Sequence, residues 1–294
     1  MPFPFPVRRR AVALLLAAGA LAAPAAGQPS DEERLLDLKA ELMAADYRAD
    51  LEELARGRAM LAPLAQHPTL GYLACYWAGF AAQRLAVNGT SRGMAAEEVE
   101  RHLASALGDF DASLARREDF ADAHVGVVSV TSWLLGIEFG RGGARASEWL
   151  ERTRRHLARA YELEPDNPRL LWVHAGIRFN TPAEHGGSQA EGMELWRRAV
   201  EASRAERAGD PLLPDWGEPE SLMSIAWARL HGERPDPAAA REPAEAALRL
   251  RPDWYYVRAI LLPAIEEGAA AATAGSGCED PPPAAPGAGA AGTP

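Results

Sequence analysis

Apolar side chains recur along this sequence at the three- and four-residue spacing that places them on one face of a helix. One example is the run of Trp149, Thr153, Leu157 and Ala160. The spacing repeats in three further segments, at residues 193–203, 222–230 and 257–264. Valine and isoleucine are sparse, whereas alanine, leucine, arginine and glutamate are abundant, which favours helix over strand. The pattern therefore predicts an all-α protein.

Glycine-rich segments separate these helical stretches at residues 88–93, 140–143 and 186–187. Because glycine is typical of turns, we predict a helical pair on either side of each segment. The predicted pairs occupy residues 28–93, 94–139, 147–180, 188–231 and 236–267. Residues 268–294 are mostly alanine, glycine and proline, with almost nothing to bury, so this segment is predicted to be a disordered tail.

Two similar segments indicate an internal repeat, namely Arg-His-Leu-Ala-Ser-Ala-Leu at residues 101–107 and Arg-His-Leu-Ala-Arg-Ala-Tyr at residues 155–161. Ala160 lies five residues before Pro165, and Ala247 lies five residues before Pro252. Small alanines followed by such prolines resemble the endings of tetratricopeptide repeats over residues 94–267. The copies lie farther apart than the usual unit of about 34 residues, so longer helices and connections must absorb the excess.

The resemblance implies a right-handed α-solenoid of about five helical hairpins. A single pair cannot bury its own apolar face and must stack on its neighbours, which builds an arc. The arc leaves a concave surface, lined by the first helix of each pair, that suits a segment of another protein. We expect Arg101, Arg155 and Arg198 on this surface. The alternative is that the three arginines lie on ordinary solvated helix faces.

A second resemblance concerns the junction Pro-Ala-Glu-His-Gly-Gly-Ser at residues 182–188. It is similar to a Pro-x-x-x-Gly-Gly junction in exported bacterial repeat proteins, including the accessory subunits of substrate-binding transport systems. Glycines at a helix start can leave amides free for a carboxylate or phosphate, and this makes Asn180 and His185 candidate binding residues. The alternative is a repeat junction that needs glycine for tight backbone geometry.

Aromatic residues at helical spacing mark the first predicted pair. Tyr76 and Trp77 lie close to Arg84 along the same segment. One interpretation is that the aromatic side chains pack this helix into the core. The other is an exposed patch that anchors a partner protein, since Tyr, Trp and Arg are common anchors at interfaces.

The N-terminus has the layout of a secretory signal peptide. Arg8, Arg9 and Arg10 precede an apolar run that ends in small residues, so we predict a signal peptide over residues 1–27 and a periplasmic or secreted protein without a membrane span after cleavage. Removing this segment leaves 28 basic against 41 acidic residues, a net charge of −13. Such a body repels nucleic acid, so a nucleic-acid partner is not expected.

Motifs for chemistry are absent from the sequence. It contains no Gly-x-Ser-x-Gly elbow, phosphate-binding loop or dinucleotide fingerprint, and no His-x-x-x-His or Cys-x-x-Cys spacing. We therefore expect no catalytic residues, no metal and no cofactor. Cys75 and Cys278 are the two cysteines, and whether they pair is left open.

Together these features predict a non-enzymatic, exported repeat scaffold that contacts another protein, with a role in transport or envelope assembly. Two alternatives stay open: a solenoid that binds a small ligand, and a helical hydrolase with scattered catalytic residues. The identity of the partner and the oligomeric state do not follow from the sequence.

Overall fold

The computed structural model describes residues 29–206 and 209–276, and in these ranges it contains α-helices and no strand. The helices are α1 Asp31–Arg48, α2 Leu51–Leu61, α3 Gly71–Ser91, α4 Ala96–Arg116, α5 Ala121–Gly140, α6 Ala146–Leu163, α7 Pro168–Asn180, α8 Gln189–Ala205, α9 Glu218–His231, α10 Pro237–Leu250 and α11 Leu262–Ser276. A π-helical turn, Val257–Leu261, leads directly into α11. The prediction of an all-α solenoid is confirmed. The signal peptide predicted over residues 1–27 lies outside the described residues.

Several helices begin where the local sequence supplies a cap. The Ser30 hydroxyl accepts a hydrogen bond from the Glu33 amide at 3.2 Å, and the Glu33 carboxylate accepts one from the Ser30 amide at 2.7 Å. Together they form a capping box at the start of α1. Asn167 and Asp236 cap α7 and α10, and a proline occupies the first turn of each of these helices. Side chains on neighbouring residues thus satisfy amides that the helix itself leaves unpaired.

The helices pair as hairpins, but the pairing differs from the prediction by one helix. The most extensive contacts join α3 to α4, α5 to α6, α7 to α8 and α9 to α10. The predicted pairs had instead combined α4 with α5 and α6 with α7. The reason lies in the glycine turns: Gly93, Gly142 and Gly186 have positive φ values of 80°, 100° and 87° and reverse the chain within a hairpin, not between hairpins.

Residues 28–93 also contain three α-helices, where a pair was predicted. The extra break follows α1, because Ala49 adopts the left-handed conformation with φ of 52° and Asp50 then caps α2. At the other end of the described chain, α11 continues to Ser276, nine residues into the segment predicted to be disordered. Alanine is the strongest helix former, which explains the extension. Residues 277–294 lie outside the described ranges.

The hairpins form two layers. Helix α3 contacts α5, α5 contacts α7 and α7 contacts α9, whereas the even-numbered helices α4, α6, α8 and α10 make no comparable contacts with one another. The odd-numbered helices therefore form the inner layer and the even-numbered helices the outer layer. This arrangement gives the stack its arc.

Residues 209–217, here called the inner segment, fill the inner side of the arc. The indole of Trp77 donates to the Leu212 carbonyl at 3.1 Å. Trp216 donates to the Tyr76 hydroxyl at 3.3 Å, and its ring lies 5.6 Å from that of Trp172 and 5.9 Å from that of Phe80. The chain's own inner segment thus occupies part of the space that was expected to be an open hollow, and binding of a partner protein there stays a prediction.

A buried ion pair holds the chain at the start of the inner segment. Arg169 Nε lies 2.8 Å from Asp122 Oδ1, and both side chains are almost fully buried. The same guanidinium donates to Glu206 at 2.8 Å and to the Trp216 carbonyl at 3.4 Å. These contacts join α5, α7 and both ends of the connection between α8 and α9.

Helix α1 closes the arc by packing against the last third of the chain. The rings of Tyr47 and Trp254 meet edge to face at 5.2 Å, and the largest hydrophobic cluster runs continuously from α1 through α3 to α10 and α11. The Tyr47 hydroxyl donates to Glu220 at 2.6 Å. As a result, the two ends of the described chain share one core.

Candidate functional site

The aromatic residues predicted as partner anchors lie in the core. Tyr76 is 2% exposed and Trp77 is 0% exposed, and both stack on neighbouring rings within α3 and its surroundings. The packing interpretation therefore holds, and neither side chain reaches the surface in this conformation. Arg84 is also buried: its Nε lies 2.6 Å from Asp46 Oδ1, and Asn88 donates to the same carboxylate at 2.9 Å. This network fastens α1 to α3.

The three arginines predicted to share a concave face are exposed but lie on the outer layer. Arg101, Arg155 and Arg198 belong to α4, α6 and α8, which are the second helices of their hairpins. Arg198 forms an ion pair of 3.4 Å with Asp166. The structure does not bring the three side chains together on one inner surface, because the one-helix shift in pairing exchanges the two layers.

Asn180 and His185 are both exposed at the junction between α7 and α8. The amides of Gly186 and Gly187 donate at 3.0 Å to carbonyls of the same junction, and the Ser188 amide donates at 2.8 Å to the Arg178 carbonyl in the last turn of α7. A Cβ added to Gly187 would lie 1.6 Å from the Thr181 carbonyl oxygen. The glycines are therefore needed for close backbone packing, and these amides are already used. Binding by Asn180 and His185 stays a prediction.

An open cleft of about 510 Å³ lies where α1 meets the inner segment and the turn after α10. We call it the α1 cleft. Its apolar lining includes Leu36, Ala40, Met43, Ala44 and Leu250, and its polar lining includes Lys39, Tyr47, Arg48, Asp215, Arg251 and Asp253. No local motif in the sequence marks this site, because its walls come from segments about 170 residues or more apart along the chain.

Two of the three basic groups in the cleft are already paired. Lys39 is buried, and its Nζ donates to the carbonyls of Pro211 and Leu213 at 2.8 and 2.7 Å and lies 3.1 Å from Asp215 Oδ1. Arg48 forms an ion pair with Glu53. The chain's single lysine thus anchors the inner segment to α1, and its charge is satisfied within the protein.

Arg251 is the third basic group, and within the described ranges it forms no ion pair. Its guanidinium carbon lies 5.0 Å from the centre of the Tyr47 ring. Its Nε is buried without a hydrogen-bond partner in the same part of the chain. Burial raises the pKa of the Tyr47 phenol well above its usual value, and burial also raises the pKa of Glu220, its acceptor.

A pair of histidines lies away from the cleft, between α5 and α6. His124 Nδ1 and His156 Nδ1 are 2.9 Å apart, and His124 Nε2 lies 2.9 Å from the Glu118 carbonyl. Since a carbonyl only accepts, His124 carries its proton on Nε2 and His156 donates from Nδ1. Burial, the neighbouring His124 and the arginines of α6 lower the pKa of His156 to about 4. Both rings are therefore neutral at pH 7.

Among residues 29–206 and 209–276, no three His, Cys, Asp or Glu side chains are grouped so as to hold a metal ion. Cys75 is buried as a free thiol, and Cys278 lies outside the described residues. Helix α5 has the length and hydropathy of a membrane span, and 44% of that stretch is buried in the protein. Its first half packs in the core, while Trp133 and Phe139 in its second half are exposed.

Comparison with known proteins supports the fold. No protein-family model matches the sequence, and no curated protein matches it significantly. Among solved structures, the HusA haemophore from Porphyromonas gingivalis is similar, with a TM-score of 0.51 and 18% sequence identity over 67% of this chain and 93% of HusA. At this identity the similarity shows a common helical fold alone. The more specific tetratricopeptide resemblance is not confirmed.

Proposed function

We propose that this protein is an exported, non-enzymatic binding protein that holds a small ligand in the α1 cleft. The observation that carries this proposal is the cleft itself, whose volume of about 510 Å³ falls within the range of ligand pockets. Apolar side chains line it, and a few polar groups converge at its edge, as is typical of such sites. The inner segment occupies the hollow in which an extended protein partner was expected, which favours a small ligand over a peptide.

Two of the exposed large apolar side chains lie on this cleft. Leu36 from α1 is 39% exposed and Leu250 from the end of α10 is 40% exposed, and both line the cleft. Side chains of this size remain in water only at a cost, and a ligand between them would remove apolar surface from both. This pair of leucines supports a ligand with an apolar body.

Haem is the first ligand to test, because the similar fold of HusA belongs to a haemophore. Its ring is flat and apolar, and its two carboxylates share one edge, which suits a cleft with an apolar lining and arginines at the edge. Met43 and Tyr47 are the lining residues of the types that commonly ligate haem iron, but both are nearly buried and the Tyr47 hydroxyl is engaged with Glu220. We therefore expect contact with the ring and carboxylates to provide the affinity.

Absorbance titration of the mature chain with haem tests the proposal, with palmitate as a second ligand measured by calorimetry. Ala40 is exposed on the cleft wall, so Ala40→Trp should fill the cleft without disturbing the core and weaken binding at least tenfold. Ala158→Trp is the matched control, since it places the same side chain on an exposed position of α6. Failure of the wild type to bind either ligand, or equal binding by Ala40→Trp, would contradict the proposal.

A second candidate is the protein-binding role predicted from the sequence. It is supported by the end of α5, where Trp133 is 39% exposed and Phe139 is 64% exposed. Exposed aromatic side chains are common anchors of interfaces. A photo-crosslinker at position 139 in exporting cells should capture one defined protein, while the same label at the exposed Arg154 on α6 should not. Identical products from both positions would count against a specific interface.

A further inference from the structure

The α1 cleft contains one basic group, Arg251, that forms no ion pair with a carboxylate in the described part of the chain. Lys39 and Arg48 have carboxylate partners, whereas Arg251 has none among residues 29–206 and 209–276. Its guanidinium interacts with the Tyr47 side chain, and its Nη1 makes a marginal contact of 3.4 Å with the carbonyl of its own neighbour, Leu250. A half-buried guanidinium with a buried, unsatisfied Nε is uncommon, because arginine at such sites usually finds a carboxylate.

Hydrogen bonds hold the backbone at Arg251, and the Tyr47 ring positions its side chain. The amide of Arg251 donates to the Ala247 carbonyl at 2.9 Å, and the carbonyl of Arg251 accepts from the Trp254 amide at 3.1 Å. Pro252 follows directly and restricts the turn. The side chain stacks over the Tyr47 ring, which in turn is held by Glu220 and Trp254. Arg251 therefore presents its planar donors at one place in the cleft before any ligand arrives.

The charges around the cleft restrict which ligands fit. Asp215 and Asp253 also line it, and both are exposed. Asp215 is paired with Lys39 and Asp253 lies 3.9 Å from Arg258, so neither needs a cationic group from the ligand, and both disfavour a second anionic group placed beside them. The two exposed leucines, Leu36 and Leu250, require an apolar surface on the ligand between these polar groups.

We propose that Arg251 binds the carboxylate of an apolar ligand whose acidic groups lie at one end only. The planar fork of arginine matches a carboxylate with two parallel N–H···O bonds, and the Leu36 and Leu250 side chains cover the apolar body. Fatty acids and porphyrin carboxylates share this chemistry. The inference rests on the proposed function and specifies the ligand class of that site.

Two pairs of probes separate the carboxylate from the apolar body. Protoporphyrin IX is compared with its dimethyl ester, and palmitate with hexadecanol, in titrations of the full mature chain that follow tryptophan fluorescence. The wild type should bind at least one acid tenfold more tightly than its neutral counterpart. Arg251→Met keeps an apolar stem and removes the charge, so it should bind the acid and its neutral counterpart equally. Arg249→Met is the matched control, since Arg249 is exposed two residues earlier and paired with Glu242.

The outcomes distinguish this inference from the proposed function. Equal binding of acid and neutral probe by the wild type, with both lost in Ala40→Trp, would overturn the role of the carboxylate and leave the cleft as the binding site. Absence of binding by all four probes would contradict both. An acid preference that survives in Arg251→Met would refute the assignment to Arg251. Should that variant fail to fold, Arg251→Lys keeps the charge without the fork and should lose part of the acid preference, whereas an unchanged preference would refute bidentate pairing.

Discussion

Replacing Trp216 with alanine tests whether the inner segment is part of the core. Trp216 is 9% exposed and packs against Phe80 and Trp172, and its indole donates to the Tyr76 hydroxyl. If residues 209–217 merely cover a hollow that exists without them, the substitution should cost little. If these residues fill the arc, Trp216→Ala should destabilise the protein as much as the truncation of any large core side chain.

The expected loss follows from burial. Truncating a buried tryptophan to alanine typically lowers the free energy of unfolding by about 3–5 kcal/mol, because apolar contact is lost and a cavity remains. The Tyr76 hydroxyl would also lose its hydrogen-bond partner, and a buried unsatisfied group costs about 1–3 kcal/mol. Trp216→Phe keeps an aromatic ring and loses the donor, so we expect a smaller loss of about 1–2 kcal/mol.

Urea denaturation followed by far-UV circular dichroism measures these values. Trp133→Ala is the matched control, since Trp133 is 39% exposed on α5, and its loss should stay below about 1 kcal/mol. A value for Trp216→Ala within error of the Trp133 control would refute the conclusion that the chain fills its own arc. An open concave surface would then again be available to a partner.

Three further predictions concern buried charge, pH and the α7–α8 junction. Arg169→Met leaves the Asp122 carboxylate buried without its partner, so it should lower the free energy of unfolding, measured by urea titration, by about 3–5 kcal/mol. An unchanged free energy of unfolding would show that the pair is solvated. The pKa of His156 is about 4 in the folded protein and near 6.5 in the unfolded chain, so the unfolded chain binds the proton first. The stability associated with neutral His156 is therefore fully present above pH 6.5 and is lost as the pH falls towards 4. After allowance for solvent screening this amounts to about 1–2 kcal/mol, and His156→Gln should flatten that part of the pH profile. Gly187→Ala should cost at least about 2 kcal/mol because its Cβ meets a carbonyl, whereas Gly136→Ala in open space on α5 should be neutral or stabilising by thermal melting.

The helices could be predicted from the sequence because their signals are local. Capping residues such as Asn167 and Asp236 lie next to the amides they satisfy, and the apolar spacing of α6 and α8 reports which face each helix buries. The pairing of helices was harder. A glycine turn such as that at Gly142 has the same composition whether it lies within a hairpin or between two hairpins, and only the packing decides.

The α1 cleft could not be predicted, because it depends on contacts between distant parts of the chain. Nothing near Lys39 indicates that its ammonium group meets carbonyls of the inner segment. Likewise, the sequence around Arg251 does not distinguish it from other arginines at repeat endings, and only its packing against α1 places it in the cleft. The junction at Gly187 shows the converse, because its glycines stand out in the sequence, but glycines serve ligand binding in one setting and close backbone packing in another.

The closure of α1 onto the last third of the chain has a consequence for how the protein is made. In an open repeat array each unit contacts its neighbours only, so units can be gained or lost without harm to the remainder. Here the ammonium of Lys39 meets carbonyls that lie 172 and 174 residues later. Helix α1 is synthesised long before Trp254, so its aromatic contact cannot form until the last third of the chain has been made, and long-range contacts of this kind slow folding. We expect deletion of one hairpin to separate the Lys39 ammonium from these carbonyls, so the closed stack constrains the number of hairpins more tightly than it constrains the exposed residues of the outer helices.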